Sequence, residues 1–400
     1  MKRVLITSIL ISTGAFLNAQ SDSVLTLDTN DVFYHLEGGS SNSIDNKSWD
    51  LAFTVQPVDA SIQVNEGKGL ELYLASNNFS DWATLDTSMM TWDKLYNSTD
   101  DWQEGAFNVV GSGHPDYGWG NYNMITHALS GTRLYILKLA DGSYKKFKIE
   151  GMTVQGVYTI THANLDGSSE ITQDIDKADY PGKNFVYYSV ASNSINDIEP
   201  TNDTWELLFT KYMAGIQTGP TLEYYPVSGI KVNAGIEIAQ REGIPSESDD
   251  VSNLSWSTSI TEIGYDWKSF NRTTFQYDIQ DSLAFFVKLT DGDIWKLVFT
   301  GYEGSGQGKY LFSKKFIQED PNSVQDLGAK SLKMYPNPSN GFVQFTEAVS
   351  SLELYNLGGQ LVFSAENVEG ALDLSMLSSG TYIARISTET ETTSIRLILD

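Results

Sequence analysis

Four histidines are the side chains of this sequence best suited to binding a metal, because the chain contains no cysteine. They are His35, His114, His127 and His162. No two of them have the spacing of a zinc-binding pair on one helix, and the HExxH pattern is absent. The lack of cysteine also excludes disulfides and every metal or nucleophile site that depends on a thiolate.

His114 and His127 lie on either side of Met124 in a stretch rich in aromatic residues. The aromatic neighbours are Tyr117, Trp119 and Tyr122. Each of the three potential ligands also has a structural explanation. His114 suits a solvated loop, Met124 suits a core filler, and His127 suits a half-buried polar residue. The chemistry of this stretch therefore depends on the fold that positions it.

Sequence motifs of catalysis are missing. No GxSxG nucleophile elbow occurs in the context of a strand and a helix. The segment 304–309 imitates a phosphate-binding loop, but it is one residue short and Tyr310 stands where a serine or threonine should bind magnesium. Calcium-loop spacing is absent, and no carboxylate pair can be nominated without a known separation. We predict that the protein is not an enzyme.

Seven of the nine tryptophans fall into two groups. Four of them recur at matched positions along the chain and most simply anchor a repeated core: Trp49, Trp119, Trp205 and Trp267. Trp82, Trp92 and Trp102 have no such counterparts. We treat these three as candidates for an exposed surface, to which a sugar or another flat ligand could bind.

The elements that carry these residues are predicted to be β-strands. Apolar and polar residues alternate in segments such as 135–139, 147–149 and 285–289. Asp-Gly pairs at 141–142 and 291–292 lie between such segments and indicate tight hairpins. No long stretch has helical periodicity. We predict an all-β fold of two similar antiparallel β modules followed by a small C-terminal β-sandwich.

Four short patterns occur twice in the same order and indicate an internal duplication. Segments 49–53, 62–65, 119–123 and 138–142 reappear as 205–209, 230–233, 267–271 and 288–292. The copies cover about 24–163 and 184–318. We therefore predict β modules at 20–163 and 184–318, a Gly/Asp/Ser-rich linker at 164–183, a second linker at 319–330 and a tail domain at 331–400.

The tail resembles the type A sorting domain of type IX secretion, the outer-membrane exporter of Bacteroidota. Three motifs carry this resemblance: Tyr335-Pro336-Asn337-Pro338, Leu354-Tyr355-Asn356-Leu357-Gly358-Gly359 and Leu377-Ser378-Ser379-Gly380-Thr381-Tyr382. The resemblance implies that the type IX machinery is a partner and that the tail is removed after export. The acidic end at Asp400 departs from the basic endings common in the family.

The two copies resemble the HmuY family of secreted or lipid-anchored all-β haem-binding proteins. The first copy carries the likeness in its Trp-Asp-Leu-Ala-Phe strand at 49–53, its Trp-x-x-Tyr step at 119–122 and its Asp-Gly hairpin at 135–147. The second copy is fainter. The resemblance implies that haem is captured between loops, with histidine or methionine as iron ligands.

The same resemblance implies a ligand set in the first copy. His127 with Met124 or His114 would hold the iron, and Tyr117, Trp119 and Tyr122 would cover the ring. Arg133 would offset a propionate. Residues 214–318 contain neither histidine nor methionine, so we expect no such site in the second copy and one haem per chain.

The first twenty residues predict export. Met1-Lys2-Arg3 is followed by an apolar run and then by Ala19-Gln20, which is typical of a signal peptide cleaved after Ala19. No later stretch is long enough for a transmembrane segment. The net charge of −25 disfavours nucleic acid as a partner. We expect a secreted or cell-surface protein that binds haem or another flat hydrophobic ligand through its first module, with a structural or adhesive protein, or a carbohydrate-binding module, as alternatives.

Overall fold

The computed structural model describes residues 19–243, 248–318 and 334–399, the last range with short gaps at 336, 338, 340, 346–348, 357–358, 369–370 and 389–391. The chain divides into two compact units, residues 1–320 and 321–400. The signal segment before Ala19 and the predicted linker at 319–330 lie outside the described residues.

Almost all regular structure is β, which confirms the predicted fold class. The first unit contains β1 (Gln20–Leu25), β2 (Asn30–Tyr34), β3 (Ser41–Asp45), β4 (Leu51–Thr54), β5 (Ile62–Val64), β6 (Glu71–Ser76), β7 (Lys94–Leu95), β8 (Gly120–Tyr122), β9 (Leu129–Gly131), β10 (Leu134–Lys138), β11 (Tyr144–Met152), β12 (Val157–Asn164), β13 (Ile171–Asp176), β14 (Phe185–Ser189), β15 (Ser194–Asn196), β16 (Leu207–Thr218), β17 (Thr221–Val232), β18 (Glu237–Glu242), β19 (Lys268–Asn271), β20 (Gln276–Ile279), β21 (Leu283–Lys288), β22 (Ile294–Tyr302) and β23 (Lys309–Gln318). Short 3-10 turns lie at Asn46–Ser48, Phe79–Thr84, Thr87–Met89, Lys177–Asp179 and Asn202–Thr204.

Two larger sheets have the same strand order. One runs β13-β12-β11-β10-β6, with β7 added beyond β6 and the β8–β9 hairpin attached to β11. The other runs β1-β23-β22-β21-β18. Central strands bury both faces: in β10, Tyr135 and Leu137 face one core, while Leu134 and Ile136 face a smaller cluster on the other side. Continuous apolar runs are expected of strands that are covered on both faces.

Two smaller sheets repeat a second order. One runs β15-β14-β4-β5 and the other runs β3-β2-β16-β17. Their registers agree, because Leu51 pairs with Tyr188 in the first and Leu207 pairs with Tyr34 in the second. The structure thus contains two sets of strands with matching order.

Strands are exchanged between the two sequence copies. The first core is formed by buried residues between Leu51 and Val190, and the second core by Val24–Leu36 together with residues 207–312. Strands β1–β3, from the start of the first copy, therefore complete the second core, and β13–β15 complete the first. This corrects the expectation that 20–163 and 184–318 each form a separate module.

The predicted linker at 164–183 is also corrected. It contains β13, whose six residues pair with β12 at the edge of the first large sheet. Ile171 and Ile175 lie on one face of this strand with Gln173 between them, and Thr172 and Asp174 on the other face are exposed. The Gly/Asp/Ser-rich composition belongs to the turn that precedes this strand.

The repeated tryptophans mainly anchor the interior. Trp119, Trp205 and Trp267 are buried. Trp49 is half-buried, and its ring makes an edge contact with Tyr187, as the matched Trp205 does with Phe33. The Trp49–Tyr187 and Trp205–Phe33 contacts lie on the faces of the small sheets opposite the two main cores.

The tail unit is a small two-sheet β structure. Its strands are β24 (Met334–Tyr335), β25 (Phe342–Phe345), β26 (Val349–Asn356), β27 (Leu361–Val368), β28 (Leu372–Asp373), β29 (Gly380–Ser387) and β30 (Thr392–Leu399). The sheet orders are β24-β25-β28 and β27-β26-β29-β30. Asn337, from the Tyr-Pro-Asn-Pro motif, accepts a hydrogen bond from the backbone N–H of Ile398 at 2.9 Å and is thereby joined to β30.

No helix within the described part of the chain is long and apolar enough to cross a membrane.

Candidate ligand-binding site

A pocket of about 310 Å³ opens at one end of the first core. It brings together residues from four separate loops and strand ends. Its side walls include Pro57, Val58, Asp59, Ala60, His114, Tyr117, Tyr122, His127, Leu129, Met152, Thr153, Val154 and Gly156. Both histidines nominated from the sequence thus line one cavity.

The β8–β9 hairpin holds His127. The side-chain oxygen of Asn123 accepts hydrogen bonds from the backbone N–H groups of Ile125 and Thr126, and the N–H of His127 donates to the Asn123 carbonyl at 2.8 Å. His127 itself has φ +56°, a left-handed conformation that few non-glycine residues adopt. The loop therefore fixes the backbone of His127 through its own hydrogen bonds. Nδ1 of His127 and the Tyr122 hydroxyl are 2.6 Å apart and hydrogen-bonded.

A second loop, at 111–118, holds His114 and Tyr117. Asp116 organises it by accepting hydrogen bonds from the backbone N–H groups of Ser112 and Gly118. The guanidinium of Arg133 donates to both carboxylate oxygens of Asp116, at 2.7 and 2.8 Å. This bidentate pair holds the pKa of Asp116 well below its ordinary value.

The His114 ring packs among tyrosines. Its centroid lies 5.4 Å from that of Tyr122 and 6.1 Å from that of Tyr117. The Tyr122 ring is in turn 5.9 Å from the His127 ring. One aromatic side chain thus contacts both histidines, and the group forms a continuous wall of the pocket.

Sequence reasoning missed Met152. Strand β11 ends at this residue, and the pairing of Met152 with Leu129 of β9 places it in the pocket wall. It lies after the Asp-Gly hairpin at 135–147, whereas the ligand set expected from the resemblance, His114, Met124 and His127, lies before that hairpin. Its position depends on a strand pairing distant in sequence, and no local pattern reveals it.

Three of the predicted site residues lie elsewhere. Met124 is 68% exposed at the hairpin tip and outside the pocket lining. Trp119 is fully buried and donates its indole N–H to the Ala60 carbonyl at 2.8 Å, so it cannot cover a ligand. Arg133 is engaged by Asp116 behind the 111–118 loop and cannot serve a propionate without breaking that pair.

The three unmatched tryptophans form no common surface. Trp82 lies beneath the ammonium groups of Lys146 and Lys148, each 4.7 Å from its ring. Trp102 donates to the Val232 carbonyl and packs between the small sheets. Trp92 is largely exposed, whereas Trp82 and Trp102 are half-buried.

The second copy has the same hairpin without the ligands. Asn271 accepts backbone hydrogen bonds from Thr273 and Thr274, as Asn123 does in the first copy. Phe275, with φ +57°, occupies the position of His127, and Phe270 that of Tyr122. The backbone device is retained, while imidazole and phenol are replaced by hydrocarbon rings.

The described lining of the pocket offers a metal two imidazoles, one thioether and the Asp59 carboxylate. No group of three or more histidine or acidic residues suited to a metal ion occurs in the part of the chain that the structure describes. An iron already held by a porphyrin needs only axial nitrogen or sulfur ligands. The donor set therefore fits haem iron better than a free ion.

The architecture is that of an all-β protein with a pocket at one end of its first core and a further β unit at the C-terminus. Residues 333–400 match the family model described as Secretion system C-terminal sorting domain. Residues 28–162 match the family model described as HmuY protein. Both resemblances inferred from the sequence are confirmed for these segments. The chain is directed by its tail to the cell surface or the extracellular space.

Comparison with solved structures found a likeness to PorZ, described as an essential bacterial surface component of the type-IX secretion system of Porphyromonas gingivalis. The identity is 10%, the TM-score is 0.16, and the match covers 91% of this chain. This chain spans 55% of that one. A TM-score this low carries no argument about function. No curated protein matches the chain.

Proposed function

We propose that this protein is an exported, non-enzymatic binding protein that takes up haem at the tip of the first core. The observation that carries the proposal is the convergence of His114, His127 and Met152 on one pocket. Imidazole nitrogen and thioether sulfur are the usual protein ligands of haem iron besides thiolate and phenolate. The match of residues 28–162 to the HmuY family agrees with this proposal.

The pocket suits a flat apolar ligand. Tyr117, Tyr122 and Leu129 supply aromatic and aliphatic surface, and a volume of about 310 Å³ lies within the range of small-molecule sites. Haem, when bound, would supply an iron that can take two nitrogen or sulfur ligands from protein side chains. His127 is the first candidate for one of them, because its backbone and its Nδ1 are already held. His114 and Met152 are the candidates for the other.

Export completes the proposal. The predicted course is cleavage after Ala19, passage through the type IX machinery by means of the tail, and removal of the chain after about Ser331. Haem binding would then take place outside the cell, where the exported protein meets its ligand.

Titration of the purified chain with haemin, followed by visible absorption, tests the proposal. The wild type is expected to give a six-coordinate spectrum, and His127→Ala and Met152→Ala are expected to change it or weaken binding. Met124→Ala is the matched control, because Met124 lies outside the pocket lining and its loss should leave the titration unchanged. No spectral change with the wild type would reject haem as the ligand.

A structural or adhesive surface protein is the second candidate. One observation favours it. The second copy keeps the hairpin backbone with Phe275 in place of the histidine, so the hairpin is retained in one half of the duplication without any haem ligand. Carbohydrate binding has less to favour it, because Trp82, Trp92 and Trp102 share no surface.

A further inference from the structure

We propose that a cleft in the second core binds a neutral oligosaccharide, with one sugar ring packed on Trp295 and hydroxyl groups donating to the surrounding carboxylates. The cleft lies beside the turn at 291–292, has a volume of about 640 Å³ and is called the Asp-Gly cleft below. Its described lining includes none of Trp82, Trp92 and Trp102. This site is independent of the haem pocket, because it belongs to the other core and takes a ligand of another class.

The Asp-Gly cleft and the haem pocket lie at opposite ends of matched strands. Strand β21 ends at Lys288, just before the turn at 291–292, whereas the β19–β20 hairpin joins the other end of β21. In the first core, the haem pocket includes Met152, at the end of β11 that is far from the matched turn at 141–142. A ligand in the Asp-Gly cleft therefore does not occupy the second-core equivalent of the haem pocket.

Exposed carboxylates from three separate turns line the Asp-Gly cleft. Glu37 comes from the β2–β3 turn, Asp203 from the turn before β16 and Asp291 from the Asp-Gly turn, and all three residues are exposed. Burial raises the pKa of Glu206 in the same wall, and repulsion from Asp291 adds to this shift, so these two carboxylates lie within electrostatic range of each other. An ionised carboxylate accepts hydrogen bonds and donates none. The wall therefore suits a ligand that carries several hydrogen-bond donors.

The basic side chains of the Asp-Gly cleft are engaged elsewhere. Lys314 is buried and donates to a backbone carbonyl of the β2–β3 turn. Lys315 donates to Asp249, which is not among the described residues of the lining. Nδ1 of His35 lies 2.9 Å from Oε1 of Glu206. A ligand with its own carboxylate or sulfate group would be repelled by the exposed carboxylates, which favours a neutral ligand.

Two half-buried aromatic rings complete the wall. Trp295 and Phe316 line the Asp-Gly cleft, with their ring centroids 5.4 Å apart and their planes at 67°. Nζ of Lys314 lies 5.8 Å from the centroid of the Trp295 ring and, because Lys314 is buried, supports this ring from the core side. The C–H groups on one face of a sugar ring pack well on a flat indole, while the hydroxyl groups at its edge reach neighbouring acceptors.

The buried part of the wall carries an unpaired donor. Trp205 lines the Asp-Gly cleft and is 2% exposed, yet its indole N–H has no hydrogen-bond partner among the described residues. The indole N–H of the matched Trp49, by contrast, donates to Asp31 at 3.1 Å. A buried donor without an acceptor lowers stability, and an oxygen atom of a bound ligand would supply the missing acceptor. A hydroxyl group meets both needs of this wall, since it accepts from an N–H and donates to a carboxylate.

Saturation-transfer NMR and calorimetric titration of the full exported chain with neutral oligosaccharides test this site. The probes are cellopentaose, maltopentaose, mannopentaose and N-acetylated chitopentaose, and at least one is expected to bind with a dissociation constant of about 1 mM or tighter. Trp295→Ala should weaken this binding about tenfold or more, because the flat apolar surface is lost. Asp203→Asn and Asp291→Asn, at exposed positions where folding should be unaffected, should each weaken it about tenfold through loss of a charged acceptor. Trp92→Ala is the matched control, since Trp92 is exposed and lies outside the described lining.

Failure of all these oligosaccharides to bind would overturn the proposed saccharide site. Binding that persists unchanged in both Trp295→Ala and Asp203→Asn would also overturn it, because the saccharide would then lie elsewhere. Binding of tetra-arginine in place of the saccharides, lost at about 0.5 M NaCl, would show that the wall selects cations and would contradict a neutral ligand. His127→Ala should leave saccharide binding unchanged, so the outcome for this site is separate from that for haem.

Discussion

The Tyr122 hydroxyl and Nδ1 of His127 are joined by a hydrogen bond of 2.6 Å. A neutral histidine that binds iron through Nε2 carries its proton on Nδ1 and donates it to a neighbouring acceptor. The tyrosine oxygen can be that acceptor, because a hydroxyl accepts as well as donates. Tyr122 is therefore placed to fix the tautomer and the orientation of His127.

We expect Tyr122→Phe to weaken haemin binding by about tenfold or more, as loss of an outer hydrogen bond to a metal-bound histidine commonly does. The reduction potential of the bound iron should rise, because His127 becomes a poorer electron donor. Absorption titration and spectroelectrochemistry measure these two effects. Tyr117→Phe is the control, since no hydrogen bond joins Tyr117 to His127. Unchanged affinity and potential in Tyr122→Phe would contradict the role given to Tyr122.

The strand exchange gives a prediction about Val32 and Val186. Both are buried and hold equivalent registers, Val32 opposite Phe209 in the second core and Val186 opposite Phe53 in the first. Val32→Asp should cost more than about 3 kcal/mol of stability, because it buries an unpaired charge. Hydrogen exchange should then show lost protection in 207–318, although residue 32 belongs to the first sequence copy.

Val186→Asp is the mirror control for this experiment. It should expose amides in 51–163 and leave those of β21–β23 protected. The reverse assignment, with Val32→Asp opening β10–β12, would show that each copy folds on its own strands.

His162 predicts a pH dependence of stability. It is 2% exposed, hydrogen-bonded through Nε2 to the Tyr188 hydroxyl, and burial lowers its pKa to about 4, with repulsion from Lys145 contributing. Below the ordinary pKa of about 6.5, the unfolded chain takes up a proton that the folded chain refuses. The stabilisation present above pH 6.5 is therefore lost as the pH falls, by about 2 kcal/mol between pH 7 and pH 5.

His162→Gln keeps a hydrogen-bond donor for Tyr188 and does not titrate. Urea unfolding of this variant and the wild type at pH 7 and pH 5 isolates the histidine from the other titrating groups. The wild type should lose more stability than the variant over this range. Equal losses would mean that His162 is not buried in its neutral form.

Export should depend on the tail. Removal of residues 331–400 is expected to retain the chain inside the cell, whereas the full chain should be found at the surface or in the medium. Mass spectrometry of the exported form should show Gln20 as its first residue and should not show the region beyond about Ser331. An exported chain that still ends at Asp400 would contradict tail removal, and export without the tail would contradict its sorting role.

The fold class and the tail could be predicted because their signals are local. Alternation within single strands and Asp-Gly turns specify hairpins wherever they occur. The exchange of β1–β3 and β13–β15 could not be predicted, because a repeat shows which strands are alike and not which core they join. Ile171 and Ile175 share a face of β13, but the three polar residues between them made the strand signal in the predicted linker weak.

The site was predictable only in part for the same reason. His114 and His127 stand close in sequence to the tyrosines that surround them, so their grouping could be inferred. Met152 lies in the pocket wall because β9 pairs with β11. Trp119 is not part of the pocket wall, because its indole is buried in the core and bonded to the Ala60 carbonyl. Both outcomes depend on long-range packing.

The haem-to-protein ratio at saturation tests the central claim most directly. Haemin titration of the purified exported chain, with iron determined after removal of unbound haemin, gives this ratio. The first core has His114, His127 and Met152, while the second presents Phe270 and Phe275 at the same hairpin. The predicted result is one haem per chain with a six-coordinate spectrum that His127→Ala alters. A ratio of zero, or of two, would contradict the account.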